Sequence, residues 1–239
     1  MSEMTDTERE LALEGTVFRR LPEFPVELEH TALITIDMQY LDAHPDYGLG
    51  KRAQDAGKFE LLRPFFDDVT DMTPRIRSLQ DAARRSGVQV IHVRIRPATE
   101  DTRECPPVTR LRGLRYPKSN HESDILEELT PQGDEISLTK ITSGSFASTP
   151  LDMMLRNMGI TTVICCGVIT NGCVESTVRE ARDRGFMPIV VSDGCATWTR
   201  SMHERALRSM SGSFANVRST AELLSILEPA GEGALASAG

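Results

Sequence analysis

The sequence predicts an α/β protein, with a parallel sheet covered by helices on both faces. Three observations predict it. Short apolar, β-branched runs such as TALITI (31–36), TTVICCG (161–167) and MPIVVSD (187–193) read as strands buried on both sides. Between them lie stretches of helical spacing, with a capping residue in front and a glycine behind. The two kinds of segment alternate along the chain, and parallel strands need crossovers of that sort.

Residues 1–30 read as an N-terminal extension, in which Thr5 to Leu13 has the composition of a short acidic helix and Pro22 and Pro25 break regularity. The compact domain is expected over 31–228. TALITI is its first strand and stops at Asp37. Thr73 caps a helix over 72–86, with Pro74 at its first position, Ile76, Leu79 and Ala83 on one face, and Gly87 at its end. VQVIHVRI (88–95) is the second strand. Residues 97–122 carry no clean period and are rich in Pro and Arg, the pattern of a long functional or interfacial loop. Ser123 to Leu129 has room for one or two helical turns, and EISLTK (135–140) is the third strand. Thr149 and Pro150 open a helix with Leu151, Met154, Leu155 and Met158 on one face and Gly159 at its end. The fourth strand (161–167) leads to a helix over 172–184 that Gly185 closes. The fifth (187–193) leads to a helix over 200–211 with Met202, Ala206 and Met210 inward. Residues 214–217 are a sixth strand, and Ser219 or Thr220 caps a last helix through Leu227. Residues 229–239 are predicted to be a disordered tail.

Charge and composition exclude several roles. Thirty-five acidic residues against 27 basic ones give a net charge of −8, which opposes a phosphate-binding surface and a polybasic membrane patch. No nucleic-acid or membrane partner is expected. No apolar run approaches the roughly 20 residues that span a bilayer, and the polar N-terminus lacks a signal pattern. The five cysteines form neither a C-x-x-C pair nor a zinc-finger array. Cys165 and Cys166 sit in an apolar run and read as core. Free thiols suit a reducing compartment, so a cytoplasmic location is expected.

In parallel sheets the ligand sits beyond the carboxyl ends of the strands. Three reactive side chains fall there: Asp37 after the first strand, Lys140 at the end of the third, and Cys173 six residues past Gly167. Each alone has an ordinary reading as a cap, a solvated cation or a packed thiol. Together they make coherent chemistry. A helix N-terminus and a lysine lower a thiol's pKa, and a carboxylate can take its proton and pass it to a leaving amine. The turn GVITNGC (167–173) can supply backbone N–H groups to a developing oxyanion.

These residues lie in three segments, ALITIDMQ, SLTKITSGSFASTPLDMMLR and GVITNGCVESTVREARDRGF, supported by VVSDGCAT and FANVRSTAELL. In this arrangement the chain resembles the isochorismatase-like cysteine hydrolases, from about Thr31 to Leu227. The resemblance implies a Rossmann-like, three-layer αβα fold with a six-stranded, mainly parallel sheet, in a homodimer or homotetramer. It implies Asp37 as catalytic base, Lys140 as catalytic lysine and Cys173 as nucleophile. It also implies a cis peptide between Val168 and Ile169, and an oxyanion hole made by the amides of Ile169 and Cys173.

Cys173 argues against the branch that cleaves a vinyl ether without a cysteine. The metal-holding branch uses an Asp-x-His pair and a further His. Here His44 and Asp46 come in the order H-P-D, and residues 50–75 contain no His, so neither metal nor cofactor is expected. What remains resembles metal-free amidases acting on ureido and carbamoyl compounds such as ureidoacrylate, biuret and N-carbamoylsarcosine. The alternatives are a maleamate- or nicotinamide-type amidase, a non-catalytic binding member of the fold, and a redox thiol protein pairing Cys173 with Cys195. Gln39, Tyr40, Phe146 and Asn171 are candidate substrate contacts because they lie close to the triad in sequence. One or two of Arg94, Arg96, Arg103, Arg110, Arg112 and Arg115 are candidates to hold a substrate carboxylate.

Overall fold

The computed structural model describes residues 5–13, 21–114 and 116–228. After a short helix α1 (Asp6–Leu13), six strands form one sheet: β1 (Thr31–Ile36), β2 (Gln89–Ile95), β3 (Ile136–Lys140), β4 (Thr162–Val168), β5 (Met187–Ala196) and β6 (Asn216–Arg218). Their spatial order is β3-β2-β1-β4-β5-β6, and every pairing is parallel. The chain builds outward from β1 through β2 to β3, then returns to lay β4 on the other side of β1. This reversal opens a crevice between the carboxyl ends of β1 and β4.

The side-chain alternation of the central strands feeds two separate apolar layers. Leu33, Ile164, Cys166, Val168, Ile189 and Val191 face α4 (Phe59–Ser86) and α9 (Thr220–Leu227). Ala32, Ile34, Ile36, Val163, Cys165 and Val190 face α6 (Leu151–Asn157), α7 (Glu175–Asp183) and α8 (Arg200–Met210). The adjacent Cys165 and Cys166 therefore serve opposite cores, and both are fully buried.

Three expectations about elements need correction. The helix expected over 72–86 begins at Phe59 and contains Pro64 and Pro74. Thr73 and Pro74 imitate a helix start, but they lie mid-helix. An interior proline costs about 3 kcal/mol. Phe65, Phe66, Val69 and Met72 are buried on the N-terminal half, and each such side chain contributes roughly 1.5–3 kcal/mol, which outweighs it. The fifth strand runs past Asp193 to Ala196, with an irregularity in its pairing to β4 between Cys165 and Gly167. Residues 21–30, assigned to an extension, lie against the domain. Asn216 Nδ2 donates to the Pro22 carbonyl at 3.4 Å, Arg218 pairs with Glu23, and Phe24, Val26 and Leu28 pack on the α4–α9 layer. The tail 229–239 lies outside the described residues.

The long segment after β2 holds one short helix, α5 (Pro107–Leu111), and two single 3-10 turns at His121–Ser123 and Glu127–Leu129. The segment after β1 folds into α2 (Tyr40–Ala43) and α3 (Gly48–Asp55). Gly48 permits that compact turn: its φ is +39° and a Cβ there would lie 2.0 Å from the Leu41 carbonyl oxygen. These two segments wall the crevice. Among the described residues no helix is long and apolar enough to cross a membrane.

Candidate active site

Asp37 leaves the end of β1 in a left-handed conformation, φ +53°, which aspartate tolerates better than most residues. Its N–H donates to the Val93 carbonyl at 2.8 Å, and the residue is 1% exposed. Lys140 ends β3, two strands away, and is fully buried. Its Nζ lies 2.8 Å from Asp37 Oδ2 and donates to the carbonyls of Thr142 and Ser143 at 3.0 Å each. Burial opposes the ammonium charge, but Asp37 and Cys173 outweigh burial and raise the Lys140 pKa. Beyond this ion pair, neither Asp37 oxygen has a hydrogen-bond partner among the described residues.

Cys173 comes from the other side of the crevice. β4 ends at Val168, the Val168–Ile169 peptide is cis, and Thr170–Val174 makes a kinked turn into α7, non-helical at Gly172 with φ −130° and ψ −106°. Gly167 allows this exit, since its φ is +122° and a Cβ would lie 2.0 Å from the Ile36 carbonyl oxygen. α7 ties the pieces together. Thr177 Oγ1 donates to the Cys173 carbonyl at 2.7 Å and accepts from the Ser145 N–H at 3.1 Å. Glu180 accepts from the Phe146 N–H at 2.8 Å. The loop after Lys140 and the turn bearing Cys173 are thus fixed to one helix.

The electrostatics of the thiol differ from the expectation. Burial, followed by the Asp37 carboxylate, pushes the Cys173 pKa well up, and Lys140 only partly offsets this. The lysine charge is already engaged by Asp37, so burial and the neighbouring carboxylate favour the thiol over the thiolate at Cys173. Cys195 is buried in the α6–α8 layer, and all five cysteines are free thiols.

A cavity of about 630 Å³ opens over these groups. Asp37, Val168, Ile169, Gly172 and Cys173 form its floor. Asp42, Leu49 and Arg52 come from the segment after β1. Thr102, Cys105, Val108, Arg112, Leu114 and Tyr116 come from the segment after β2, and Trp198 closes one side. The size suits a small molecule.

None of the four expected substrate contacts lines this cavity. Gln39 is fully buried; its Oε1 accepts from the Ile95 N–H at 2.7 Å and its Nε2 donates to the Ile95 carbonyl at 3.2 Å. It stitches β1 to β2. Tyr40 packs tilted against His44 and edge-on against Tyr47. Phe146 packs against Phe186. Asn171 points away, where its Oδ1 accepts from Thr197 Oγ1 at 2.6 Å. Proximity in sequence misled because each of these side chains is engaged in bonding or packing its own segment to a neighbour rather than facing the cavity. Arg94 and Arg96 both pair with Asp124 at 3.0 Å, Arg103 pairs with Asp101, and Arg110 holds three loop carbonyls. Of that group Arg112 lines the cavity, and Arg115 lies outside the described residues. Asp42, Arg52, Thr102 and Tyr116 were not foreseen. Asp42, only five residues past Asp37, was the one within reach of a sequence argument.

Comparison with known proteins agrees with this architecture. The chain matches the Isochorismatase domain over residues 31–222. An uncharacterized isochorismatase family protein of Bacillus subtilis, YwoC, is 36% identical over 43% of this chain and 54% of its own length. A second, YecD of Escherichia coli O157:H7, is 36% identical over 39% of this chain. The chain therefore spans about half the length of these two relatives. The ureidoacrylate amidohydrolase RutB of Acinetobacter baylyi is 28% identical over 76% of this chain and 77% of its own. Among solved structures, a cysteine hydrolase from Pseudomonas syringae superposes with a TM-score of 0.72, 25% identity, and coverage of 87% of this chain and 96% of that one. N-carbamoylsarcosine amidase from Thermoplasma acidophilum gives 0.62, 25%, 80% and 96%. A domain match over most of the chain, joined to the all-parallel six-stranded sheet, establishes that the chain belongs to the isochorismatase family of hydrolases.

Proposed function

We propose that this protein is a cysteine amidohydrolase that cleaves a C–N bond of a small ureido or carbamoyl compound through a Cys173 thioester. One observation carries the proposal: Asp37, ion-paired with buried Lys140 behind it and holding a spare carboxylate oxygen, lies on the same cavity floor as Cys173. The relatives named as ureidoacrylate amidohydrolase and N-carbamoylsarcosine amidase support the substrate class.

The chemistry follows from the charges. Asp37 takes the S–H proton as the sulfur attacks the carbonyl carbon, so no free thiolate need accumulate. The former carbonyl oxygen becomes an oxyanion held by the Ile169 and Cys173 N–H groups, an interaction worth several kcal/mol at a typical oxyanion hole. The C–N bond breaks, and the proton on Asp37 passes to the departing nitrogen. Water then attacks the thioester and gives a proton to Asp37. The C–S bond breaks and the proton returns to sulfur. Lys140 does not line the cavity. It is a positioning residue that holds Asp37 in place through their ion pair.

The test is ammonia release on a panel of biuret, ureidoacrylate, N-carbamoylsarcosine, maleamate and nicotinamide. Turnover of a ureido compound that Cys173→Ser abolishes supports the proposal. Equal turnover by that variant, or turnover confined to nicotinamide or maleamate, overturns it. We further propose that the functional unit is a homodimer or homotetramer; a monomer by light scattering contradicts this.

A further inference from the structure

Buried polar atoms are almost always hydrogen-bonded. Among the described residues, those lacking any protein partner fall on nine residues, and three of these line the cavity: Asp37, Asp42 and Thr102. Asp37 is accounted for by the chemistry. Asp42 and Thr102 are not. They stand on two different segments, the helical turn after β1 and the long connection after β2. Asp42 is half-buried, but its Oδ2 is buried and has no hydrogen-bond partner among the described residues. Thr102 is 2% exposed, and its hydroxyl likewise has no partner. Thr102 is held at φ +56°, an unusual conformation for a β-branched residue. Such strain often marks a functional site.

Building on the amidohydrolase reading, we infer that Asp42 and Thr102 form the recognition subsite for the non-reacting end of the substrate, and that this end bears N–H donors, as a second carbamoyl or primary amide group does, rather than a carboxylate. The carboxylate of Asp42 accepts from N–H and repels an anion, and the Thr102 hydroxyl can pair with either the N–H or the carbonyl of an amide. The charged and titratable groups around Asp42 fit this role. Asp37 and Cys173 face it from the floor, with Lys140 behind Asp37, Arg52 faces it from α3 and Tyr116 from the far wall, and Arg112 lines the same cavity beside Tyr116. Arg52 leans over the Tyr116 ring, 5.7 Å from its centre. Arg52 and Arg112 are exposed at the rim, where solvent screens their charge. Burial and the neighbouring Asp37 push the Asp42 carboxyl up to about 7, with Lys140 and Arg52 opposing. Ionisation near neutrality therefore switches the subsite on as pH rises.

The test measures binding apart from turnover. In the Cys173→Ser protein, calorimetry with biuret and with N-carbamoylglycine compares the background with added Asp42→Asn or Thr102→Val. A hydrogen bond to a charged acceptor predicts that Asp42→Asn weakens biuret binding about tenfold. N-carbamoylglycine should be unaffected or bound more tightly. Biuret affinity should rise as pH passes about 7 and become flat in Asp42→Asn. Thr102→Val should weaken biuret a few-fold. A purely structural Asp42 would leave affinity and its pH profile unmoved. Unchanged biuret affinity in Asp42→Asn, an absence of biuret binding by the background, or preferential binding of N-carbamoylglycine overturns the inference. Folding is checked by urea unfolding. Removing an unpartnered buried charge should leave Asp42→Asn at least as stable above pH 7 as its parent, and loss of the fold overturns the inference by revealing a structural partner. Wild-type turnover is a separate readout: a silent panel defeats the amidohydrolase reading whatever the calorimetry shows.

Discussion

Both ends of the sheet bury charge, but they treat it differently. Near the amino ends of β2 and β3, Glu135 accepts from Arg84 at 2.7 and 3.1 Å, from His92 Nε2 at 3.1 Å and from the Gln132 N–H at 2.8 Å. Burial alone would raise its pKa, yet these partners, Arg84 foremost, hold it down at about 2. At the carboxyl ends, among the described residues, Asp37 pairs with the Lys140 ammonium and its oxygens have no further hydrogen-bond partner, and Asp42 Oδ2 has none. A carboxylate whose lone pairs are filled is fixed in one state and serves as scaffold. One left with open lone pairs can accept a proton or a substrate N–H. The second arrangement costs stability, as functional sites commonly do.

Substitutions can sharpen or break this contrast. The largest expected effect is on chemistry. Cys173→Ser should lower kcat by on the order of a thousandfold or more while leaving the unfolding midpoint within a degree or two of the wild type, about the size of a small surface change. Next, Lys140→Met leaves Asp37 buried and unpaired. Breaking one partner of a buried pair costs about 3–5 kcal/mol, so urea unfolding should shift strongly and activity should vanish. Adding Asp37→Asn should recover part of that stability and none of the activity. An unshifted midpoint in Lys140→Met would show that the pair is not buried as described.

At the scaffold end, Glu135→Gln should cost about 2 kcal/mol through lost charge-assisted hydrogen bonds, with kcat and KM unchanged. The pH sign is definite. Because the folded pKa of Glu135 lies below its ordinary 4.5, its contribution is complete above that value and is lost as pH falls toward about 2. The acid limb of the stability curve should flatten in the variant. An acid limb identical to wild type would contradict the assignment. The smallest effect is expected at Asn171→Ala, which loses the hydrogen bond from Thr197 and should cost about 1 kcal/mol with KM unchanged. A large rise in KM would place Asn171 in the site after all.

What could be read from the sequence follows physical lines. The central strands were legible because burial on both faces leaves unbroken apolar runs, as in TALITI. The closing helix was legible from its cap, placed at Ser219 or Thr220, and the structure shows Ser219 in a capping box with Glu222. The first half of α4 was not, because Pro64 and Pro74 punctuate locally and only tertiary burial overrides them. The end of β5 was hidden because SDG (192–194) reads as a turn. Asp37, Lys140 and Cys173 could be placed at strand ends, and the structure brings them together. The cavity walls could not be read, since they depend on how residues 40–55, 97–114 and Tyr116 fold over the crevice. Sequence proximity selected Gln39 and Asn171, whereas the lining comes from Asp42, Arg52, Thr102 and Tyr116.

The central claim is a covalent Cys173 intermediate, and intact-protein mass spectrometry after acid quench during turnover of a ureido substrate tests it most directly. The account predicts a mass increase equal to the substrate's acyl fragment, located by digestion on the peptide containing Cys173 and missing in Cys173→Ser. Steady turnover with unmodified Cys173, together with an active Cys173→Ser protein, would contradict it.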